Sequence, residues 1–292
     1  MKRILWAVLL IPMILLGLTF CTKPDQSQLE KLPVSSIVDL SATDSAEEDL
    51  QDAAPGAFSP VDSNPDLNYD SIRDVDGNVY RTIRIGTQTW IAENLKTTRY
   101  NDGSEIPEVI DNSKWVTLRT GAYRWYNNDR NTYKNLYGAL YNWYTVQTGK
   151  LCPSGWHVPG DEDWKQLEME LGMTREEADS WGETFGIEGR GTDQGTQMKA
   201  ASGWLPWEGR GGNGTNTSGF SALPAGESGW GGWSNGVESH VYTYYTGTGI
   251  CTTWWYSTDE GGGRAVTSTD PGVIRGIYPA FCGLSVRCLK DN

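Results

Sequence analysis

The sequence predicts an α+β domain, with two helices and short antiparallel strands joined by long loops, behind a disordered N-terminal tether. Three observations predict it. Period-two alternation occurs in short runs, while a helical apolar stripe occurs only twice after residue 130. Gly is 35 and Trp 14 of the 292 residues, which means many turns and more large aromatic surface than a core of this size ordinarily needs. Residues 22–73 lack tryptophan, carry Pro24, Pro33, Pro55, Pro60 and Pro65, and set eleven acids against three bases. Such a segment cannot bury enough apolar area to offset its chain entropy. About fifty flexible residues reach roughly 40 Å, enough to hold a domain clear of a lipid surface.

Residues 1–21 have a basic start at Lys2 and Arg3 and an uncharged apolar run from Ile4 to Phe20, interrupted by Pro12. The run is at the short limit for a membrane span and fits a secretory signal better. Leu18-Thr19-Phe20-Cys21 has the form of a lipobox, which would make Cys21 an acylated first residue. Phe20 departs from the small residue usual before that cysteine, and an uncleaved helical anchor is the alternative. Acyl chains hold a protein at a membrane through roughly 0.8 kcal/mol per buried CH₂. The expectation is a membrane-anchored lipoprotein of the cell envelope, in the outer membrane, with all later residues outside the cytoplasm.

The globular part is expected over residues 74–292. Asp74-Val75-Asp76-Gly77-Asn78 fails as a calcium loop, because Val79 and Ile85 stand where an EF-hand needs Gly and Glu. It reads as a turn at positive φ. Val79–Ile85 alternates, Gly86-Thr87-Gln88 turns, and Thr89–Ala92 returns, which predicts a hairpin. Leu136–Gln147 aligns Leu136, Leu140, Trp143 and Tyr144 and predicts a helix closed by Gly149. Asp161-Glu162-Asp163 after Pro159-Gly160 opens the second helix, whose stripe is Trp164, Leu167 and Leu171 and which ends at Gly172. Glu162 and Glu168 are then assigned to solvated faces. Beyond Gly186 the chain reads as loops and short strands: Phe220–Gly226 into a turn, Val241–Thr246, Thr252–Ser257, Arg264–Thr267 and Leu284–Leu289.

The net charge of −13 argues against nucleic acid as a partner, since no basic face displaces counterions. Two histidines, His157 and His240, exclude metal sites built on several imidazoles. His157 is a candidate general base, but beside Trp156 and Pro159 it reads better as a hydrogen-bonded core residue. If Cys21 is acylated, four cysteines remain and permit three pairings. The favoured set is Cys152–Cys288, clipping the approach to the second helix onto the last strand, with Cys251–Cys282. On the chain-entropy model the first bridge contributes about 4–5 kcal/mol and the second about 3–4 kcal/mol. A redox-active thiol or copper pair at Cys282 and Cys288 is the competing assignment. It lacks a nearby His or a CxxC spacing.

Eight ordered motifs carry a family resemblance. They begin with Asp76-Gly77-Asn78-Val79-Tyr80, Trp90-Ile91-Ala92-Glu93-Asn94-Leu95 and Tyr100-Asn101-Asp102-Gly103. Tyr137–Trp143, Cys152-Pro153-Ser154-Gly155-Trp156-His157-Val158-Pro159, Gly219–Gly226, Trp254–Thr258 and Leu284–Cys288 follow. In that order they resemble the Fibrobacter succinogenes major paralogous domain family. The resemblance implies secreted or lipid-anchored proteins of Bacteroidetes-type bacteria, mostly without known activity. It implies a C-type-lectin-like fold related to that of the formylglycine-generating enzyme, in which a Cys before the helix pairs with one in the last strand, in agreement with Cys152–Cys288. Cys251 and Cys282 look like the optional inner bridge. The glycine-rich stretch 182–195 looks like an insertion of this protein.

Trp204, Trp207, Trp230, Trp233, Trp254 and Trp255 cluster in the loop-rich half and are the candidate sugar-stacking residues. At least half are expected to cap the core instead. Trp254 and Trp255, adjacent in a strand, should point to opposite faces with one of them buried. The Glu-Pro-Asn and Trp-Asn-Asp calcium triplets of lectin-like domains are missing; Asp259 and Glu260, before Gly261-Gly262-Gly263, are weak Ca²⁺ candidates. No spacing selects a pair of glycosidase carboxylates or a nucleophile with its base. The expectation is a non-enzymatic envelope lipoprotein, requiring no cofactor, that binds a glycan or a surface protein. The alternatives are an envelope enzyme, either polysaccharide-active or a thiol oxidase using Cys282 and Cys288, and a structural subunit of a surface assembly.

Overall fold

The computed structural model describes residues 63–181, 188–207, 209–234, 239–258 and 260–292, with the backbone alone over 230–234 and 239–244. The leader, Cys21, the tether up to residue 62, and Asp259 lie outside the described residues.

A meander opens the domain: β1 (Asp70–Arg73), β2 (Val79–Ile85) and β3 (Gln88–Ile91). The β1–β2 turn places Gly77 at φ +82°, while the Asp74 carboxylate accepts from the Asn78 backbone N–H at 2.9 Å. A two-stranded ladder follows, β4 (Tyr123–Arg124) with β5 (Leu140–Tyr141). β6 (Trp156–His157) and the C-terminal β12 (Leu289–Lys290) complete the first sheet in the order β1-β2-β3-β12-β6, antiparallel throughout. β1 lies inside the segment assigned to the tether, so the domain starts earlier than residue 74. Asn64 already donates its side-chain amide to the Asn216 carbonyl at 3.1 Å. Asp70-Ser71-Ile72-Arg73 has one apolar residue and no periodic signal; pairing with β2 makes it a strand.

The second sheet runs β11 (Ile274–Ile277), β10 (Gly262–Thr267), β9 (Cys251–Trp255), β7 (Ala225–Ser234) and β8 (Ser239–Thr248). All pairs are antiparallel except β7 with β9. The expected strand at Phe220–Gly226 is displaced: β7 begins at Ala225 and continues through the glycine-rich run beyond it. Of the expected strand Leu284–Leu289, Leu284 and Ser285 make isolated bridges, to Tyr141 and Trp254, and only Leu289 belongs to a strand, β12.

Six short helices occur among the described residues, not two: α1 (Asn112–Thr117), α2 (Arg130–Tyr137), α3 (Trp143–Val146), α4 (Asp161–Glu170), α5 (Arg175–Asp179) and α6 (Gln194–Met198). The continuous helix expected over Leu136–Gln147 is broken. α2 stops at Gly138, whose φ of +78° suits glycine, and a Cβ there would lie 2.6 Å from the Leu95 carbonyl oxygen. The chain then enters β5, and Asn142 caps α3 by accepting from the Thr145 N–H. The spacing of Leu136, Leu140 and Trp143 imitates a helical face across this break. The helix opened by three acids at Asp161 forms as expected.

Two cores flank β9. Trp254 packs on one side with Trp90, Trp164 and Phe220, and Trp255 on the other with Tyr141, Trp143 and Tyr278. Ring centroids are 5.7 Å apart for Trp164–Trp254 and 5.7 Å for Trp143–Trp255. The pair does point to opposite faces, but both indoles are buried because both faces of this sheet are covered. The Cys152–Cys288 disulfide joins the approach to α4 to the segment leading into β12. Cys282 is a free, buried thiol, so the expected Cys251–Cys282 bridge is not formed. Cys282 sits in a turn, donating its backbone N–H to the Pro279 carbonyl, and packs into the Trp255 core.

α4 is fixed by charge as well as by Trp164 and Leu167. Glu168, assigned to a solvated face, is fully buried; it lies one turn beyond Trp164 on the same side. Its Oε1 accepts from Arg190 Nη2 and Arg264 Nε, each at 2.7 Å. Asp161 accepts from Arg264 Nη2 at 2.8 Å and Arg275 Nη2 at 2.7 Å. Burying these charges is tolerable only because every carboxylate meets guanidinium groups. Glu168→Gln should therefore lower unfolding stability by about 3–5 kcal/mol in denaturant titration, since it strands buried arginine charge. Glu162→Gln, on the exposed face, should stay within about 0.5 kcal/mol.

Candidate functional site

The sequence-predicted residues do not converge. Trp204, Trp254 and Trp255 are core, and only Trp207 of the described candidate side chains is partly exposed. Trp230 and Trp233 belong to β7, and their side chains lie outside the described residues. Glu260 is exposed, and among the described residues no group of three or more His, Cys, Asp or Glu is placed to hold a metal. His157 is not a core residue: its side chain is 43% exposed, with Nδ1 2.6 Å from Asp291 Oδ1 and Nε2 3.5 Å from Asp163 Oδ2. It ties β6 to the C-terminus and to the first turn of α4. Cys288 is bonded to Cys152 rather than Cys282, and burial pushes the Cys282 thiol well above its ordinary range, with Glu227 adding to the shift. That arrangement disfavours a reactive thiolate.

A different surface brings polar groups together. The segment Ala92–Lys96 and the C-terminal turn of α2 face each other across a shallow depression, with Arg287 beneath and Arg81 at its side. It encloses about 20 Å³, space for about one water molecule. Glu93 Oε1 accepts from Arg81 Nε at 3.0 Å. Lys96 Nζ lies 5.5 Å from the centre of the Tyr80 ring. Tyr137 forms one wall, its ring stacked on Tyr133 at 5.9 Å and 15°. Asn94 organises the floor: its Oδ1 accepts from Trp254 Nε1 at 2.9 Å and Arg287 Nε at 2.8 Å, and its amide donates to the Tyr137 carbonyl at 3.0 Å. Arg287 donates otherwise to the carbonyls of Ile91, Phe220 and Ser221. With no carboxylate among these contacts, burial lowers its guanidinium to about 9.

None of Lys96, Lys134 or Tyr137 stands among the candidate ligand-binding residues read from the sequence. Tyr137 opens the Tyr137–Trp143 motif and Lys96 directly follows the Trp90–Leu95 motif, while Lys134 lies outside both. Trp181, also absent from that set, is 37% exposed and carries the Arg275 guanidinium 4.2 Å from its ring centre.

A family model described as the Fibrobacter succinogenes major domain matches residues 83–290. The chain belongs to this family. No curated protein and no solved structure matches it. The Fibrobacter succinogenes major domain span covers the disulfide, most of the depression and both cores except Tyr80, while β1 lies before it.

Within the span of this Fibrobacter succinogenes major domain, β7 carries one carboxyl that is not paired with a cation. Glu227 is fully buried and accepts from Thr253 Oγ1 at 2.8 Å. Desolvation raises its pKa to about 7, against which the Thr253 bond acts weakly. A carboxyl raised in the folded state favours folding below its unfolded pKa and loses that contribution as pH rises through the folded one. The domain should therefore lose roughly 3 kcal/mol between about pH 4.5 and 7 from this group, with the loss complete above that window. Glu227→Gln should remove this component, so that its stability exceeds that of the parent at pH 8 and differs least at pH 4. Denaturation midpoints across that range check it; parallel curves for both proteins would contradict it.

Proposed function

We propose that this chain is a cell-envelope lipoprotein, anchored at the outer membrane through Cys21, whose C-type-lectin-like domain binds a glycan at the surface without transforming it. The observation that carries the binding role is the depression between Ala92–Lys96 and α2. A flat tyrosine wall stands beside an amide, a carboxylate and ammonium groups, the mixture that recognises a sugar's apolar face and hydroxyls together. Its single acid, Glu93, is held by Arg81, whereas glycoside hydrolysis needs two carboxyl groups flanking the bond. The envelope location is supported by the basic, apolar leader and by a disulfide that needs an oxidising compartment. The lectin-like fold is supported by the bridge from the approach to α4 to the last strand, the pairing that such domains use.

A glycan array probed with the full-length protein, followed by calorimetry with and without a chelator, tests this. Saturable binding is expected, with the bound sugar recovered intact. Asn135, on α2, also lines the depression; Asn135→Ala and Tyr137→Ala should each weaken binding at least about tenfold, roughly 1.4 kcal/mol, with the folding transition retained. Failure to bind any glycan on the array, or cleavage of the bound sugar, would overturn the proposal.

A further inference from the structure

We infer that the depression receives a single oxyanion group carried on a sugar (a carboxylate, sulfate or phosphate ester) held between Lys96 and Lys134. This inference rests on the glycan-binding reading and names the class of glycan. The chain as a whole carries −13, yet the depression is lined by Arg81, Lys96, Lys134 and Arg287 against one acid, Glu93. That acid is committed: its Oε1 accepts from both the backbone N–H and Nε of Arg81. Among the described residues neither Lys96 nor Lys134 has a carboxylate within 4.0 Å. Below them the Arg287 guanidinium meets only neutral oxygens. The acids elsewhere on the molecule do not cancel this local excess, because charges beyond about 8 Å are largely screened at physiological salt.

Two further features agree. Burial pushes the Lys96 ammonium below its ordinary range, Lys134 and Arg81 lower it further, and the carboxylates of Glu93 and Asp74 offset this in part. A bound anion would reverse that penalty. The carbonyl end of α2, which would oppose an anion, is occupied: the Lys134 carbonyl accepts from the Gly138 N–H and the Tyr137 carbonyl from Asn94. The enclosed volume of about 20 Å³, about one water molecule, admits an oxygen of the anionic group rather than a sugar ring. The ring would lie outside it, over Tyr137 and the exposed Leu136.

Calorimetry on the full-length protein tests this with a charged panel: galacturonic acid trisaccharide, a galactose sulfate and a galactose phosphate. The methyl-esterified trisaccharide and galactose are the neutral counterparts. At least one charged sugar should bind at least about tenfold more tightly than its neutral counterpart, and the tightest of the three identifies the oxyanion. Lys96→Gln combined with Lys134→Gln should abolish that preference and flatten its salt dependence, while Lys134→Arg retains it. Equal binding of charged and neutral sugars would overturn the oxyanion inference and leave the glycan reading standing. Charged-sugar preference unchanged in the double variant, with folding retained, would overturn the site. No binding by the charged panel overturns the inference, and the glycan array separately decides whether the broader reading falls with it.

Discussion

The whole domain is organised around a strand buried on both faces. β9 runs between two cores, and its adjacent Trp254 and Trp255 serve one each. Two indoles side by side in a strand demand deep apolar cover on both sides, and that cover must also satisfy two N–H donors. Trp255 Nε1 donates to the Tyr141 carbonyl at 2.7 Å, and Trp254 Nε1 to Asn94 Oδ1. Those acceptors draw β5 and the segment after β3 onto opposite faces of the second sheet. Asn94 then engages Arg287, and Arg287 gathers the carbonyls of Ile91, Phe220 and Ser221. Segments far apart in sequence thus meet at one buried polar hub whose position follows from Trp254.

The same constraint decides what is left for the surface. Trp90, Trp164, Trp204, Trp254 and Trp255 are consumed in the interior, so the aromatic excess of the sequence is mostly a property of two cores sharing one wall. α4 closes the Trp254 core through Trp164 and Leu167 and is locked there by Asp161 and Glu168 against three arginines. On the proposed reading, recognition falls to groups outside that frame, those that line the depression above Arg287.

Elements with a local signal were legible. The β2–β3 hairpin, the turn at Gly77 and α4 follow from alternation, from positive-φ residues and from acids at a helix start. The Cys152–Cys288 bridge followed from its likeness to a known scheme as well as from the cysteine count. Elements made by tertiary pairing were not legible. β1 has no periodicity of its own, and the break at Gly138 is dictated by the Leu95 carbonyl rather than by neighbours in sequence. Glu168 looked solvated because its partners, Arg190 and Arg264, are 22 and 96 residues away. The depression was invisible for the same reason: Lys96 and Lys134 come together only after Asn94 has tied the two segments. Cys282 was paired by arithmetic, and the turn that turns it into the core carries no sequence mark.

Amide hydrogen exchange on the full-length protein, resolved along the chain, tests the central role of β9 most directly. If β9 is the shared wall of both cores, the amides of residues 251–255 should be among the slowest in the domain and should exchange only on global unfolding. Exchange of β9 through local opening, faster than in the β2–β3 hairpin, would contradict the account.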